Sequence, residues 1–151
     1  VHNFTNSTGN TFNIALYDNS ASFTAATTAY TATNEVSGSG YSAKGNTLVN
    51  VTPTSTSTTA FTDFSDTTWS SSTITARGAM IYNDSATADP SVVILDFGSD
   101  NSSSSGGLTI VFPTSDSTSS IIMIALHSRA PGPPSRTGRC LLARGDLGGA
   151  G

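Results

Sequence analysis

The chain has 151 residues and a formal net charge of −4, and only 11% of its residues are charged, against roughly 25% in an average globular domain. That length gives one domain, or one domain and a tail, and excludes the two large lobes that many cofactor enzymes need. Its 25 Ser and 24 Thr stand where charge would, yet Phe, Tyr, Ile and Val recur in compact runs between Ser, Asn, Gly and Asp, which is a β pattern and not a disordered one.

In chain order, residues 1–11 are polar with one large apolar group, Phe4, and predict an N-terminal arm anchored there. Phe12, Ile14 and Leu16 then alternate with Asn13, Ala15 and Tyr17; a period of two predicts a strand over 12–17 with the first three on one face. The stretch 21–46 is Ala, Thr, Ser and Gly with Phe23, Tyr30 and Tyr41 as isolated anchors. It reads as a long ordered excursion, its clearest turn at Gly38-Ser39-Gly40. Further strands are predicted over 47–52, 58–64, 73–83, 91–97, 107–113 and 120–126. Hydroxyl and β-branched residues lose side-chain freedom or compete for backbone bonds in a helix but suit a pleated surface. Asn83-Asp84-Ser85 with Asp89-Pro90, and the stretch from Asp100-Asn101 to Gly106-Gly107, predict the turns.

These elements predict an all-β fold, a single antiparallel β-sandwich or jelly-roll-like barrel of about seven to eight strands over 12–126. The extended N-terminal arm precedes it and an irregular Pro/Gly/Arg-rich tail, 127–151, follows. A change of reading frame would account for the same break in composition. Both faces of 92–97 and 121–126 are apolar, which predicts central strands covered on both sides, one cover being open to another subunit. Arg77 is expected to face outward with Thr75, Ala79 and Ile81 and to pair with an Asp across strands or across a subunit interface. Trp69 is expected to cap one end of the core.

Charge and cysteine bound the partners. Cys140 is alone, so neither an intrachain disulfide nor a Cys-based zinc site is expected. Residues 1–125 carry nine acids against Lys44 and Arg77, while 126–151 carry four arginines against Asp146; a body of −7 lacks the clustered cations that phosphates require, so no nucleic-acid partner is expected. No stretch approaches about 18 consecutive apolar residues, so no membrane span is expected, and the start has no signal-peptide pattern. A first residue of Val points to a processed or incomplete start.

Candidate chemistry is sparse. A Ser nucleophile needs a held base, and the histidines are His2 in the arm and His127 at the tail junction. Glycoside hydrolysis needs two carboxylates across a cleft; Asp63 and Asp66 lie close in sequence, but FTDFSDTTW reads as a strand end and a turn. Glu35, the only Glu, reads as a strand-edge or turn charge. Asp96, Asp100 and Asn101 are oxygen ligands without EF-hand spacing and read as a solvated hairpin end. Arg144-Gly145-Asp146 matches an integrin-binding tripeptide at chance level. The acceptor patterns at Asn3, Asn6, Asn50, Asn83 and Asn101 are what a chain one-third Ser and Thr produces without selection. No catalytic, cofactor-binding or metal-binding residues are assigned and no cofactor is expected.

The succession FNIALYDNSASFTAATTAYTATNEVSGSGYSAKGNTL, AFTDFSDTTWSSSTITARGAMIYND, VVILDFGSD and LTIVFPTSDSTSSIIMIA resembles a family of small tailed-bacteriophage structural proteins, over about residues 4–125. The resemblance implies a virion protein, foremost a capsid decoration or cement protein on the capsid exterior, made in the host cytoplasm. Its implied partners are the major capsid protein and further copies of itself, for instance as a trimer. A neck or tail component is the next reading, a receptor-binding adhesion module using Tyr30, Tyr41 and Trp69 another, and a hydrolase using Asp63 or Asp66 the last. The segment after 126 departs from the family pattern.

Overall fold

The structure is a computed structural model that describes residues 1–125. The tail 127–151, with His127, Cys140 and Arg144-Gly145-Asp146, lies outside the described residues. Seven strands follow in order: β1 (Phe12–Tyr17), β2 (Asn46–Thr47), β3 (Asn50–Thr56), β4 (Thr59–Phe64), β5 (Thr67–Asn83), β6 (Ser91–Ile110) and β7 (Ile122–Ala125). They form two antiparallel sheets, a large one in the order β2-β1-β5-β6 and a small one in the order β3-β4-β7. The architecture is an all-β sandwich, as the alternation predicts.

Phe12, Ile14 and Leu16 enter the main core, where they meet Leu48, Phe64, Trp69, Ile74, Ala79, Ile81, Leu108 and Phe112. Each large side chain taken out of water there contributes about 2 kcal/mol. The alternate residues, Ala15 and Tyr17, join Met80 and Tyr82 on the opposite face, and Ala21, Phe23 and Tyr30 of the excursion lie over them. The excursion therefore forms a third layer over β1 and the second half of β5.

That layer corrects one expectation. The strands covered on both faces are β1, buried at every position, and the last residues of β5. The run 92–97 instead falls on an edge strand, β6, and of 121–126 the residues Ile122–Ala125 form another, β7. The chain covers its own second face with a polar loop whose few aromatics carry the contact, so strand hydrophobicity alone misplaces the centre.

Further boundaries differ, and β5 begins at Thr67 where the sequence predicts a start at residue 73. The predicted strand 47–52 is a corner: β2 pairs with β1, Leu48 and Val49 pass over, and β3 pairs with β4 in the other sheet. The predicted strands 91–97 and 107–113, with a turn from Asp100 to Gly107 between them, are one strand, β6, paired along β5 from Ser91 to Ile110. Hydroxyl pairs across the ribbon hold the serine-rich middle: Ser72 to Ser103 at 2.7 Å, Thr75 to Ser102 at 2.7 Å and Thr68 to Thr109 at 2.8 Å. Such polar cross-strand pairs stabilise a ladder without apolar side chains.

The ribbon is bent by register shifts, one of them between Ala76 and Gly78. Ala76 pairs with Asn101 and Gly78 with Asp96, so Phe97–Asp100 bulge opposite Arg77 alone. An extra residue in one strand changes which side chains face the core. Before the bulge Ile74 and Ala76 point into the core, and after it Ala79 and Ile81 do. Ala79 and Ile81 are thus buried and not outward companions of Arg77. Residues 1–11 lie against the body, with Phe4 stacked on Phe12 at 4.6 Å and His2 beside both rings.

Candidate functional site

The carboxylates nominated for hydrolysis bind backbone. Asp63 is 1% exposed; its Oδ1 accepts from the Phe64 N–H at 2.9 Å and its Oδ2 from the Ile121 N–H at 3.3 Å, which ties the approach to β7 onto β4. Asp66, in the turn between β4 and β5, accepts from the Phe112 N–H at 2.8 Å. Both latch the segment that links β6 to β7, in keeping with the strand end and turn read from FTDFSDTTW. His2 Nδ1 lies 3.0 Å from Asn83 Nδ2 and faces Phe4 and Phe12. Among the described residues no group of three or more His, Cys, Asp or Glu side chains comes together as a metal site would require.

Glu35 organises the most connected polar cluster; it pairs antiparallel with Tyr17 at the edge of β1, the strand-edge position expected of it, but the convergence of side chains on its carboxylate was not anticipated. Its Oε2 accepts from the Tyr30 hydroxyl at 2.6 Å, and its Oε1 from the Tyr41 hydroxyl and the Lys44 N–H, both at 2.7 Å. The Tyr41 oxygen itself accepts from the Leu16 N–H at 2.9 Å. Tyr82 donates to the Lys44 carbonyl and Tyr17 to the Thr31 carbonyl. The Lys44 ammonium reaches Asp89 at 3.0 Å and Asp84 at 3.2 Å. Burial raises all four phenols above the usual tyrosine range, and the Glu35 carboxylate adds to this at Tyr17, Tyr30 and Tyr41. The cluster fastens the excursion to the large sheet. A lone Glu with Tyr30, Tyr41 and Lys44 within ten residues was the available signal.

Arg77 pairs across the bulge with Asp96 at 3.3 Å and lies 3.9 Å from Asp100, which is the cross-strand partnership its position predicts. The Gly98 N–H and the Arg77 guanidinium hold the Asp96 carboxyl below the usual range. These groups border an open cleft of about 380 Å³ between the start of the excursion and β6, where Asp18, Ala21 and Phe23 face Arg77, Ile94 and Asp96. The aromatics nominated for glycan contact lie elsewhere: Trp69 is 3% exposed, Tyr41 stacks on it at 5.9 Å, and Tyr30 packs on Tyr82 at 4.8 Å.

The arrangement can hold backbone and present edges. Both cations of the described residues are paired within the chain, and Asp63, Asp66 and Glu35 each accept from backbone amides. Large apolar groups left in solvent include Val49, Ile94, Val111, Met123 and Ile124, on or beside edge strands. No family model, curated protein or solved structure matches the chain.

Proposed function

We propose that this chain is a non-enzymatic structural protein of a phage particle, a capsid decoration or cement protein that binds the outside of the head between major capsid protein subunits and associates with copies of itself. The observation that supports this most is how the ionisable groups of the body are used: Glu35, Asp63, Asp66, Lys44 and Arg77 fasten loops and strand ends to the sandwich. A protein that braces a shell needs a stiff body and repeated surface contacts, and many weak contacts on one lattice become strong together. The resemblance carried by the ALY, TTAY, NEVSGSGY and ITARGAMIYN blocks supplies the phage context.

The test is reconstitution. Heads stripped of the chain should take the purified protein back at fixed stoichiometry and then resist heating or osmotic shock better than bare heads. Heads that neither bind it nor gain resistance would refute the role. The mixed cleft beside Arg77 favours a second reading, an adhesion module, because Phe23 and Ile94 offer apolar surface next to charged hydrogen-bonding groups. Saturable binding on a glycan array, abolished by Phe23→Ser, would support that reading instead.

A further inference from the structure

Directly paired residues of neighbouring strands share a face of the sheet, and on the second face of the large sheet the row Tyr17, Gly78, Asp96 runs in register across β1, β5 and β6. The glycine in the middle of that row carries no side chain. The layer formed by the excursion covers β1 and the end of β5 but stops short of β6, where Ile94 stays 39% exposed. The result is the cleft of about 380 Å³, with Asp18 and Phe23 on one side and Ile94 and Asp96 on the other. Phe23 is held there edge-on to Tyr17, at 4.8 Å and 90°.

Each side of the cleft presents a carboxylate with one oxygen in use. Asp18 Oδ1 accepts from the Ser20 N–H at 2.8 Å, and Asp96 Oδ1 takes both the Gly98 N–H at 2.8 Å and the Arg77 Nε–H at 3.3 Å. Neither Oδ2 has a hydrogen-bond partner among the described residues, and the Asp96 side chain is 75% exposed. With Asp100 lying 3.9 Å from Arg77, three acids accompany one cation, so the cleft stays negative although an arginine lines it.

That chemistry narrows the occupant. An acidic ligand is repelled here and by the whole body, which carries nine acids against two cations over 1–125. A neutral ligand strips water from two carboxylates and brings no charge in return. A metal ion finds no third carboxylate or imidazole. A lysine brings the charge as a single point. A guanidinium brings the charge, a fork of donors for carboxylates on both sides, and a flat face for the Phe23 ring, while its methylene stem suits Ile94.

We infer that the cleft between Asp18 and Asp96 is a docking socket for an arginine side chain of a protein partner, which under the proposed function is a subunit of the head. The inference rests on that role only for the partner's identity. One such contact is weak, and repetition over a shell makes it count. Because the attraction is between opposite charges, it weakens as salt rises.

Titration of the full chain, followed by amide NMR shifts, tests the socket without heads. The probes are a blocked tripeptide with one arginine between two glycines and the same peptide with citrulline, whose side chain has the shape of arginine without its charge, each from roughly 0.1 to 10 mM. The expected result is saturable shifts at Asp18–Phe23 and Ile94–Gly98 with the arginine peptide and none with citrulline. Affinity should fall with salt and by about fivefold or more in Asp18→Asn and in Asp96→Asn, each of which keeps an Oδ1 to accept the same backbone N–H. Asp116→Asn, which removes the same charge outside the cleft, should bind as the parent does. Equal response to the two peptides, an equal loss in Asp116→Asn, or saturable binding of a neutral sugar in place of the arginine peptide would overturn the inference. On stripped heads, uptake of the Asp18→Asn/Asp96→Asn double variant equal to that of the parent would also overturn it and leave the role standing, whereas heads that refuse the parent refute the role and leave the socket's chemistry to the peptides.

Discussion

The Leu16 N–H donates to the phenol oxygen of Tyr41 at 2.9 Å, so a side chain 25 residues away completes the edge of β1 where the excursion has swung clear of it. The same hydroxyl donates to Glu35. Tyr41→Phe keeps the ring on Trp69 but strands a buried N–H and removes one donor from the carboxylate. The expected loss is about 2–4 kcal/mol in urea unfolding, with unchanged strand content; a loss below about 0.5 kcal/mol would show that the hydroxyl is not holding the edge.

Gly45 and Gly98 both have positive φ, 70° and 76°, but their surroundings differ. A Cβ at Gly45 would collide with the Ile14 carbonyl oxygen, while one at Gly98 meets nothing within 4 Å. Gly98→Ala should cost about 1–2 kcal/mol, the strain of a left-handed alanine. Gly45→Ala carries that strain and must also displace β1, so it should exceed Gly98→Ala by about 2 kcal/mol or fail to fold. Equal costs would contradict the close approach of the excursion to β1.

Asp63 acts as a latch, and removing it should be read in stability. Asp63→Ala frees the Phe64 and Ile121 amides from a charged acceptor and should cost about 2–3 kcal/mol, with the amides of Ile122–Ala125 exchanging first. Asp66→Ala loses one bond at an exposed site and should cost about 1 kcal/mol. Unchanged melting of Asp63→Ala would remove the latch from the account.

The chain's four tyrosines are Tyr17, Tyr30, Tyr41 and Tyr82, and burial raises every one of their phenols. The folded state therefore holds these protons more tightly than the unfolded chain, whose phenols titrate near about 10. The stabilisation is whole below that pH and is lost as pH climbs above it toward the folded values. Tyrosinate absorbance should stay flat through pH 10 and then rise together with loss of the sheet signal. Two or more phenols ionising near pH 10 with the fold intact would contradict the packing of the excursion.

What could be read from the sequence follows from where the apolar signal lies. Phe12, Ile14 and Leu16 alternate without interruption, so β1 and its core face were legible residue by residue. Ser102–Ser105 carry no apolar signal, and their pairing rests on hydroxyls 27 and 31 residues away, on Thr75 and Ser72; a local reading therefore gives a turn. The bulge at Arg77 is invisible for the same reason, since the four residues facing it lie on another strand. Glu35 is unremarkable until Tyr30, Tyr41 and Lys44 converge on it in three dimensions. The runs 92–97 and 121–126 looked like the strands covered on both faces because the layer that covers the second face of β1 is mostly Ala, Thr and Ser, with Phe23 and Tyr30 supplying the contact.

Particle imaging tests the structural role most directly. A three-dimensional reconstruction of the mature phage head, resolved well enough to fit the sandwich, should show this chain on the outer surface at symmetry-related positions between major capsid subunits. Mature particles whose every resolved density is filled by other chains, with this one absent from the head, neck and tail, would contradict the account.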